Sequence, residues 1–512
     1  MFISSCTKNF DEFNKDTKSP TEVPGEALFS SAQKSLSDQI ASANVNRDIW
    51  KLWAQYWTET TYTDEANYNV FNRKIPDNTF STFYRRVLNN LKIAQANIEA
   101  VKALTDAESV TKANKLAIIE LLRAYSYQRL VDIFGNVPYT DALKISETLS
   151  PKYDDAATIY KDLMSRVDAA LGNLNVDGSS FGSADLYYKG DVAKWKKFGN
   201  SLKLKLGLHL ADVDEATAKA AVEAAANGAI LAPEDACKMN YLGGSPNTNP
   251  IHADLVLSGR KDFVPANTIV DMLTNLKDPR LFYYFEDPVK FEFTKDTSGL
   301  AKDSIVTDKP RVLIYKDSIV YKDVPYTVYA KDTLNLPASF EGGTYGVNSS
   351  YSGHSHIASR VTAATYPCTL FDNVEMEFYL AEAAARGYAV GDAEDHYNKG
   401  VKASILDWGG TEDEADAYLA SVPYDAANWK KSIGTQSWIA SYVRGFIGYT
   451  TWRRLDAPTL NISPDAQTDG GAIPTRFTYP INEQTLNKDN YAAASDAIGG
   501  DALLTKLFWD KY

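Results

Sequence analysis

The chain is poor in the residues that most often carry chemistry. Its 512 residues include only 3 cysteines and 5 histidines. Cys6, Cys237 and Cys368 form neither a disulfide framework nor a zinc-ligand pattern. Cys237 and Cys368 either pair or stay free, and two buried free thiols is the preferred reading. Positive charge is also in deficit, with 53 Lys+Arg against 66 Asp+Glu and a net charge of -13. That balance excludes a binder of phosphate backbone, so nucleic acid is not expected as a partner. No run of about 18 apolar residues offers a membrane-crossing helix. Gly-x-Ser-x-Gly, His-Glu-x-x-His, the phosphate loop and the EF-hand loop are all missing. His354 and His356 would share one face of an extended segment, but they have no evident third partner, so no metal site is expected. His209 shares a stripe with Leu202 and Leu206 and reads as a core histidine rather than a base. Among 66 acids no pair stands out for glycoside cleavage, a reaction that needs two carboxyls facing each other across a cleft. Arg453 and Arg454 read as solvated or salt-bridged rather than as an anion site. The expectation is a protein without catalytic residues and without a cofactor, and not an enzyme.

Aromatic rings are what the chain has in quantity: 31 Tyr, 21 Phe and 9 Trp. So many tyrosines cannot all be buried cheaply, because each buried hydroxyl needs a partner. Flat amphipathic rings at a surface suit sugars, which stack their C–H faces on them. Taken one at a time, each ring is more readily explained as core or loop packing.

The sequence begins Met-Phe-Ile-Ser-Ser-Cys. Ile3-Ser4-Ser5-Cys6 has the pattern of a bacterial lipoprotein cleavage site, at which Cys6 would take the lipid. The charged and long apolar parts of a complete signal are missing. Thr7 to Glu26 is polar and aperiodic and contains Pro20, Pro24 and Gly25, as a tether between lipid and fold would. Residues 1–26 are therefore expected to be a lipoprotein signal remnant and tether, and several acyl chains on Cys6 would anchor it stably to a membrane.

Helical periodicity dominates the rest. Val87, Leu91, Ala94, Ile98 and Val101 form one apolar stripe. Thr105-Asp106 breaks it. Lys115 to Phe134 is apolar nearly all round, so it is expected to be buried between neighbours, and Gly135 with Pro138 stops it. These two segments are expected to pair as a hairpin, followed by a second pair, 151–174 with 191–210, and an alanine-rich helix at 216–229. From about 240 to 367 the chain turns loop-rich, with short alternating runs at 290–293, 311–315 and 326–329. Helices return at 373–387 and 393–406 and near 437–449. Ala393, Tyr397 and Gly400 have the 4+3 spacing of the second helix of a tetratricopeptide repeat, although no clean 34-residue period is visible. The expected fold is mainly α: tetratricopeptide-like helical hairpins stacked as an α-superhelix, with a loop-rich insert carrying short strands.

Several stretches, in order, resemble the SusD/RagB family of outer-membrane lipoproteins, in its SusD-like nutrient-binding branch. They are Glu120 to Tyr139 (ELLRAYSYQRLVDIFGNVPY), Gly190 to Leu204 (GDVAKWKKFGNSLKL), Asp278-Pro-Arg-Leu281, Glu377 to Gly387 (EFYLAEAAARG), and Ile473 to Pro480 (IPTRFTYP) with Glu483 and Asn487. The resemblance spans Cys6 to Trp509. It implies one SusD-like domain over 27–512, helical at 28–235 and 370–450, irregular at 240–367 and loop-rich at 451–512. It implies four tetratricopeptide-like hairpins packing against a SusC-like, TonB-dependent transporter. It further implies capture of an oligosaccharide, or sometimes a peptide, at the outer membrane of a Bacteroidetes-type bacterium, facing the cell exterior through a lipid anchor. The segment Thr294–Leu336 does not follow the family pattern.

Two segments are candidates for ligand contact. Trp50, Trp53 and Trp57 fall at i, i+3 and i+7, one helical face, with core favoured for the first two. Beyond Trp57 the chain becomes polar. There Tyr62 and Tyr68 offer apolar faces, while Asp64, Glu65 and Asn67 can fork hydrogen bonds to vicinal hydroxyls. The second segment, Gly342 to His356, carries Tyr345, Asn348, Tyr351 and His354 in a Gly/Ser-rich setting like that of an adaptable paratope. The expected contacts are Trp57, Tyr62, Asp64, Asn67, Tyr68, Tyr345 and Tyr351, and plain solvated loops are the alternative. A helical-repeat scaffold without small-ligand binding is the competing function, and a surface glycoside hydrolase the third.

Overall fold

The computed structural model describes residues 23–290 and 338–512, together with the backbone of five short strands in the segment between them. Cys6 and residues 7–22 of the expected tether lie outside the described residues. So does the 294–336 segment, apart from those strand backbones. The structure is mainly helical, as the periodicity predicts.

The first helix, Gly25–Ala41, starts directly after Pro24, inside the expected tether. It buries Phe29, Ala32 and Leu36 and packs against Asn89–Ala100. Asp106–Phe134 packs on Ala156–Asn173, Val192–His209 on Glu215–Ala225, and Asn373–Ala385 on Ala393–Asp407. The partners are thus shifted by one helix from those expected. The 89–100 stripe pairs chiefly with the N-terminal helix, which frees 106–134 to pair forward. Contacts between successive pairs then stack them into the superhelix.

Each helix end has a local cause. Thr105, Asp155, Asp191, Asp214 and Asp372 each accept a first-turn N–H through the side chain. Nearly every residue of Asp106–Phe134 beyond Ala117 is buried, because neighbours cover it all round. Its C-terminal carbonyls are claimed by the far end of the chain. Arg476 donates to Phe134 O from Nε (3.1 Å) and Nη2 (2.9 Å), and Phe477 N–H donates to Ile133 O at 2.9 Å. Two of the motif stretches, 120–139 and 473–480, therefore meet in space.

A third stretch explains itself in the same way. Arg280 is fully buried and donates to Asp278, to Ser404 Oγ at 3.1 Å and to Gln436 Oε1 at 2.6 Å. It joins the 267–284 region to the helix Ala393–Asp407 through Ser404 and to the helix Trp429–Ala440 through Gln436. A buried ion pair is tolerable only when its remaining donors are satisfied like this. At Gly400, a Cβ would sit 3.1 Å from the Phe378 ring. The small residue at that tetratricopeptide-like position lets the two helices close.

Two further expectations are corrected. The helix near 437–449 is two helices, Trp429–Ala440 and Gly445–Leu455, because Val443 takes a positive φ of 72° between them. The 240–367 region contains a ten-residue helix, Asn267–Leu276, whose short apolar period was masked by the surrounding Gly and Pro. The described strands form small antiparallel ladders, among them Trp57–Glu59 with Phe263–Pro265 and Cys237–Met239 with Cys368–Phe371. Cys237 and Cys368 are buried and free. No described helix is long and apolar enough to cross a membrane.

Candidate functional site

The tryptophan stripe does not form one helix. The helix is only Trp50–Trp53; Gln55 then takes φ 58° and the chain enters the strand Trp57–Glu59. Trp50 and Trp53 are core, as expected, with Trp50 stacked on Phe477 at 4.3 Å. Trp57 is buried as well. Its indole N–H donates to Tyr442 Oη at 3.2 Å and its ring lies 5.7 Å from Phe263.

The strand pairing places the two candidate segments against each other. Thr60 N–H donates to Asp262 O (2.8 Å) and Thr60 Oγ1 to Lys261 O (2.7 Å). Gly346 N–H donates to Thr58 Oγ1 at 3.2 Å. Asn67 Nδ2 donates to Thr63 O (2.8 Å) and Gly346 O (2.9 Å), and its Oδ1 accepts from Ser463. Gly346 has φ 76°, and a Cβ there would lie 1.9 Å from Ser463 Oγ, so only glycine fits. Tyr345 N–H donates to Asn267 Oδ1 at 3.0 Å.

Four of the seven candidates, Trp57, Asn67, Tyr68 and Tyr345, are therefore buried and face other protein groups. The Tyr68 and Tyr345 hydroxyls approach one another without reaching hydrogen-bond geometry. Burial pushes the Tyr68 phenol up to about 12 and that of Tyr345 well above its ordinary range, so both stay neutral. Beside them, burial and the adjoining Glu65 carboxyl raise Glu59 to about 10, while Arg73 pairs with Glu65. Ala66 N–H donates to Glu59 Oε2 at 3.0 Å, so this acid pair closes the base of the loop that carries Tyr62.

The rim of this frame is open. Tyr62 is 69% exposed and Asp64 half-buried. Tyr351, also half-buried, stacks on His356 at 4.0 Å with the Lys261 ammonium 5.1 Å from its ring centroid. His356 Nδ1 meets Asp287 Oδ2 at 2.7 Å. Sequence reasoning missed Lys261 and Asp287, which reach the rim through strand pairs formed over long sequence separations. Aromatic faces, carboxylates and a cation on a hydrogen-bonded base can hold a polyhydroxylated chain without reacting with it.

The residues first weighed for chemistry sit elsewhere. His209 is buried between Tyr160 and Asp132, and burial lowers it to about 4. Arg453 donates to the Asp132 and Thr475 carbonyls, and Arg454 pairs with Glu382. His354 Nδ1 meets Ser350 O at 2.8 Å, away from the His356–Asp287 pair. Among the described residues no three His, Cys, Asp or Glu side chains gather as a metal site would require.

Residues 16–480 match the SusD-like family described as starch-binding and associating with the outer membrane. No curated protein sequence matches the chain. Among solved structures, a chitin-binding protein is similar over 95% of this chain and 99% of its own, at 26% identity and TM-score 0.76. A SusD homologue from Bacteroides uniformis is similar over 95% and 99%, at 22% identity and TM-score 0.73. A chitin-binding SusD homologue from Flavobacterium johnsoniae covers 95% and 97%, at 21% identity and TM-score 0.72.

Proposed function

Because this chain belongs to the SusD-like family, whose members are binding proteins rather than enzymes and associate with the outer membrane, we propose that it captures an oligosaccharide at the cell surface and delivers it to a SusC-like TonB-dependent transporter. The observation that carries the reading is the rim of Tyr62 and Tyr351 mounted on a buried, hydrogen-bonded frame. Sugars present alternating C–H faces and hydroxyls. Tyr62 and the Tyr351–His356 stack answer the faces, and Asp64, Asp287 and Lys261 answer the hydroxyls. Chitin binding by a similar protein at 26% identity supports a glycan over a peptide as ligand. In this reading Cys6 carries the lipid, residues 7–22 span from lipid to fold, and the protein faces the cell exterior.

Isothermal titration against maltoheptaose, chitohexaose and a mixed oligopeptide set tests the proposal. One saccharide series is expected to bind without turnover. The double variant Tyr62→Ala/Tyr351→Ala should lose at least tenfold in affinity, since stacking contributes about 1 kcal/mol per ring. Hydrolysis of any probe, preference for peptides, or binding indifferent to both tyrosines would count against it. For the anchor, labelled palmitate should enter the full-length precursor and not its Cys6→Ser variant. The transporter should co-purify with the anchored protein from outer membranes.

A further inference from the structure

A second concave surface lies apart from the Tyr62 rim. It is a cleft of about 830 Å³ between the helix Asn267–Leu276, the start of the helix Trp429–Ala440 and the turn following Leu455. That volume is within the range of pockets that hold organic ligands. One helix face forms the first wall: Thr268, Asp271, Met272 and Asn275 recur at the spacing that places them together. Trp429 stands on the opposite wall.

Trp429 differs from the other eight tryptophans. Each of those has an aromatic or histidine ring against it, whereas among the described residues Trp429 has none. The Arg386 guanidinium lies 5.2 Å and the Lys430 ammonium 5.8 Å from its ring, and part of the side chain packs on a buried cluster that includes Phe378, Tyr397 and Ile433. A half-buried indole flanked by cations and lining a cleft is a platform for an apolar face.

The remaining lining selects what lies on that platform. Asn267, Asn275, Asn428 and Asn461 bring four amides, each both donor and acceptor. Among the described lining residues, Lys430 and Lys431 are matched in number by Asp271 and Asp456, so these side chains bring no net charge. A ligand rich in hydroxyl or acetamido groups, uncharged, with a flat C–H face, satisfies all of these features. Asn461 Nδ2 donates to Thr268 Oγ1 at 2.8 Å and its backbone is held on both sides by Gln55, so the amide wall is preset.

We propose that this cleft is a second binding site for a neutral saccharide, stacked on Trp429 and separate from the Tyr62 rim. It rests on the reading of the ligand as a glycan. The two surfaces share one partition. Asn267 lines the cleft and also accepts from Tyr345 N–H, while Asn461 lines it two residues before Ser463, which bonds Asn67 under the rim. A single long chain, or two chains, could then be gripped at two points, raising residence without a tighter individual site.

The test is ¹⁹F NMR of the full protein labelled with 5-fluorotryptophan, titrated with chitohexaose and maltoheptaose beside calorimetry. The Trp429 resonance is assigned by its loss in Trp429→Phe. It is expected to shift on saturation by one of the sugars, and to shift equally in Tyr62→Ala/Tyr351→Ala. Asn275→Trp, at an exposed position that leaves the Trp429 packing intact, should fill the cleft mouth. It should weaken that response at least tenfold while the Tyr62-dependent heat persists. A Trp429 signal that stays fixed while Tyr62-dependent heat is seen overturns the second site alone. A shift that disappears with the two tyrosines, or that answers only to oligopeptides, overturns it too. If no saccharide gives heat or shift at all, the glycan reading falls with it.

Discussion

Replacing Glu59 by glutamine should stabilise the protein at neutral and alkaline pH, against the usual result of altering a buried polar side chain. Glu59 is 3% exposed, and burial together with Glu65 raises it to about 10. In the unfolded chain it titrates at its ordinary value near 4.5. The sign follows from linkage. The folded protein holds a proton that the unfolded chain releases, so the stability contributed below pH 4.5 is lost steadily as pH rises toward 10. At about 1.4 kcal/mol per pH unit, the loss between pH 5 and pH 8 is about 4 kcal/mol. The Glu59→Gln amide keeps a neutral group of the same shape, able to accept from Ala66 N–H and to donate to Glu65, and it has no proton to lose. With an unfolding entropy of about 2.1 cal/mol/K per residue, a chain of this size loses about 1 kcal/mol of stability per degree near its midpoint. Calorimetric melting of both proteins from pH 5 to pH 8 should show the variant pulling ahead by about 4 °C across that interval. A difference that stays flat with pH, or a variant that melts below its parent at pH 8, would refute the reasoning.

Three more outcomes can be measured. His209 titrates in the opposite sense: burial holds it at about 4, below its ordinary 6.5, so its contribution is complete above pH 6.5 and lost as pH falls toward 4. His209→Gln should remove about 2 kcal/mol of that acid loss at pH 5, read as a smaller shift in urea midpoint between pH 7 and pH 5. Arg280→Met should cost about 3–5 kcal/mol by leaving Asp278 buried and unpaired, and adding Asp278→Asn should recover much of it; strictly additive costs in the double-mutant cycle would contradict the buried pair. Gly346→Ala should destabilise by at least about 1 kcal/mol from its positive φ alone and more from the clash with Ser463 Oγ. Ser463→Ala in that background should relieve the Oγ contact only, because the Cβ at 463 still lies 2.8 Å from the new one, and it recovers none of the φ component and gives up the bond to Asn67, as followed by thermal melting.

The helices and their buried faces were legible because their apolar period survives in the sequence. What was not legible came from backbone conformations without a residue signature. Gln55 and Val443 take positive φ although neither is glycine. The first turned an apparent helical tryptophan stripe into helix plus strand, and the second cut one expected helix in two. The rim was half-legible. Tyr62 and Tyr351 were named from local composition, and both reach the surface or partly so. Asn67, Tyr68 and Tyr345 have the same local character but are buried, because such segments meet others hundreds of residues away: Asn67 meets Gly346 and Ser463. The composition of a loop says that its side chains are polar or amphipathic, and not which of them the rest of the chain will cover. Trp429 went unnoticed for the converse reason. It stands alone in sequence, and what sets it apart is that among the described residues no aromatic ring pairs with it.

The burial of Trp57, Asn67, Tyr68 and Tyr345 bears on how tightly the rim would hold the ligand proposed above. A flexible loop must surrender conformational freedom each time it closes on a ligand, and that cost is subtracted from every contact made. Here the cost is met in folding. Thr60 is fixed to 261–262, Asn67 bridges to Gly346 and Ser463, and Tyr345 is fixed to Asn267, so the chain on either side of Tyr62 is already held. These pins come from four separate parts of the sequence, so none can shift without the others. The proposed capture and delivery would gain from this arrangement. Preset geometry lets a few ring and hydroxyl contacts suffice, so that affinity is set by the small number of exposed groups. In the proposed reading, altering those groups changes the ligand held without disturbing the frame that presents them.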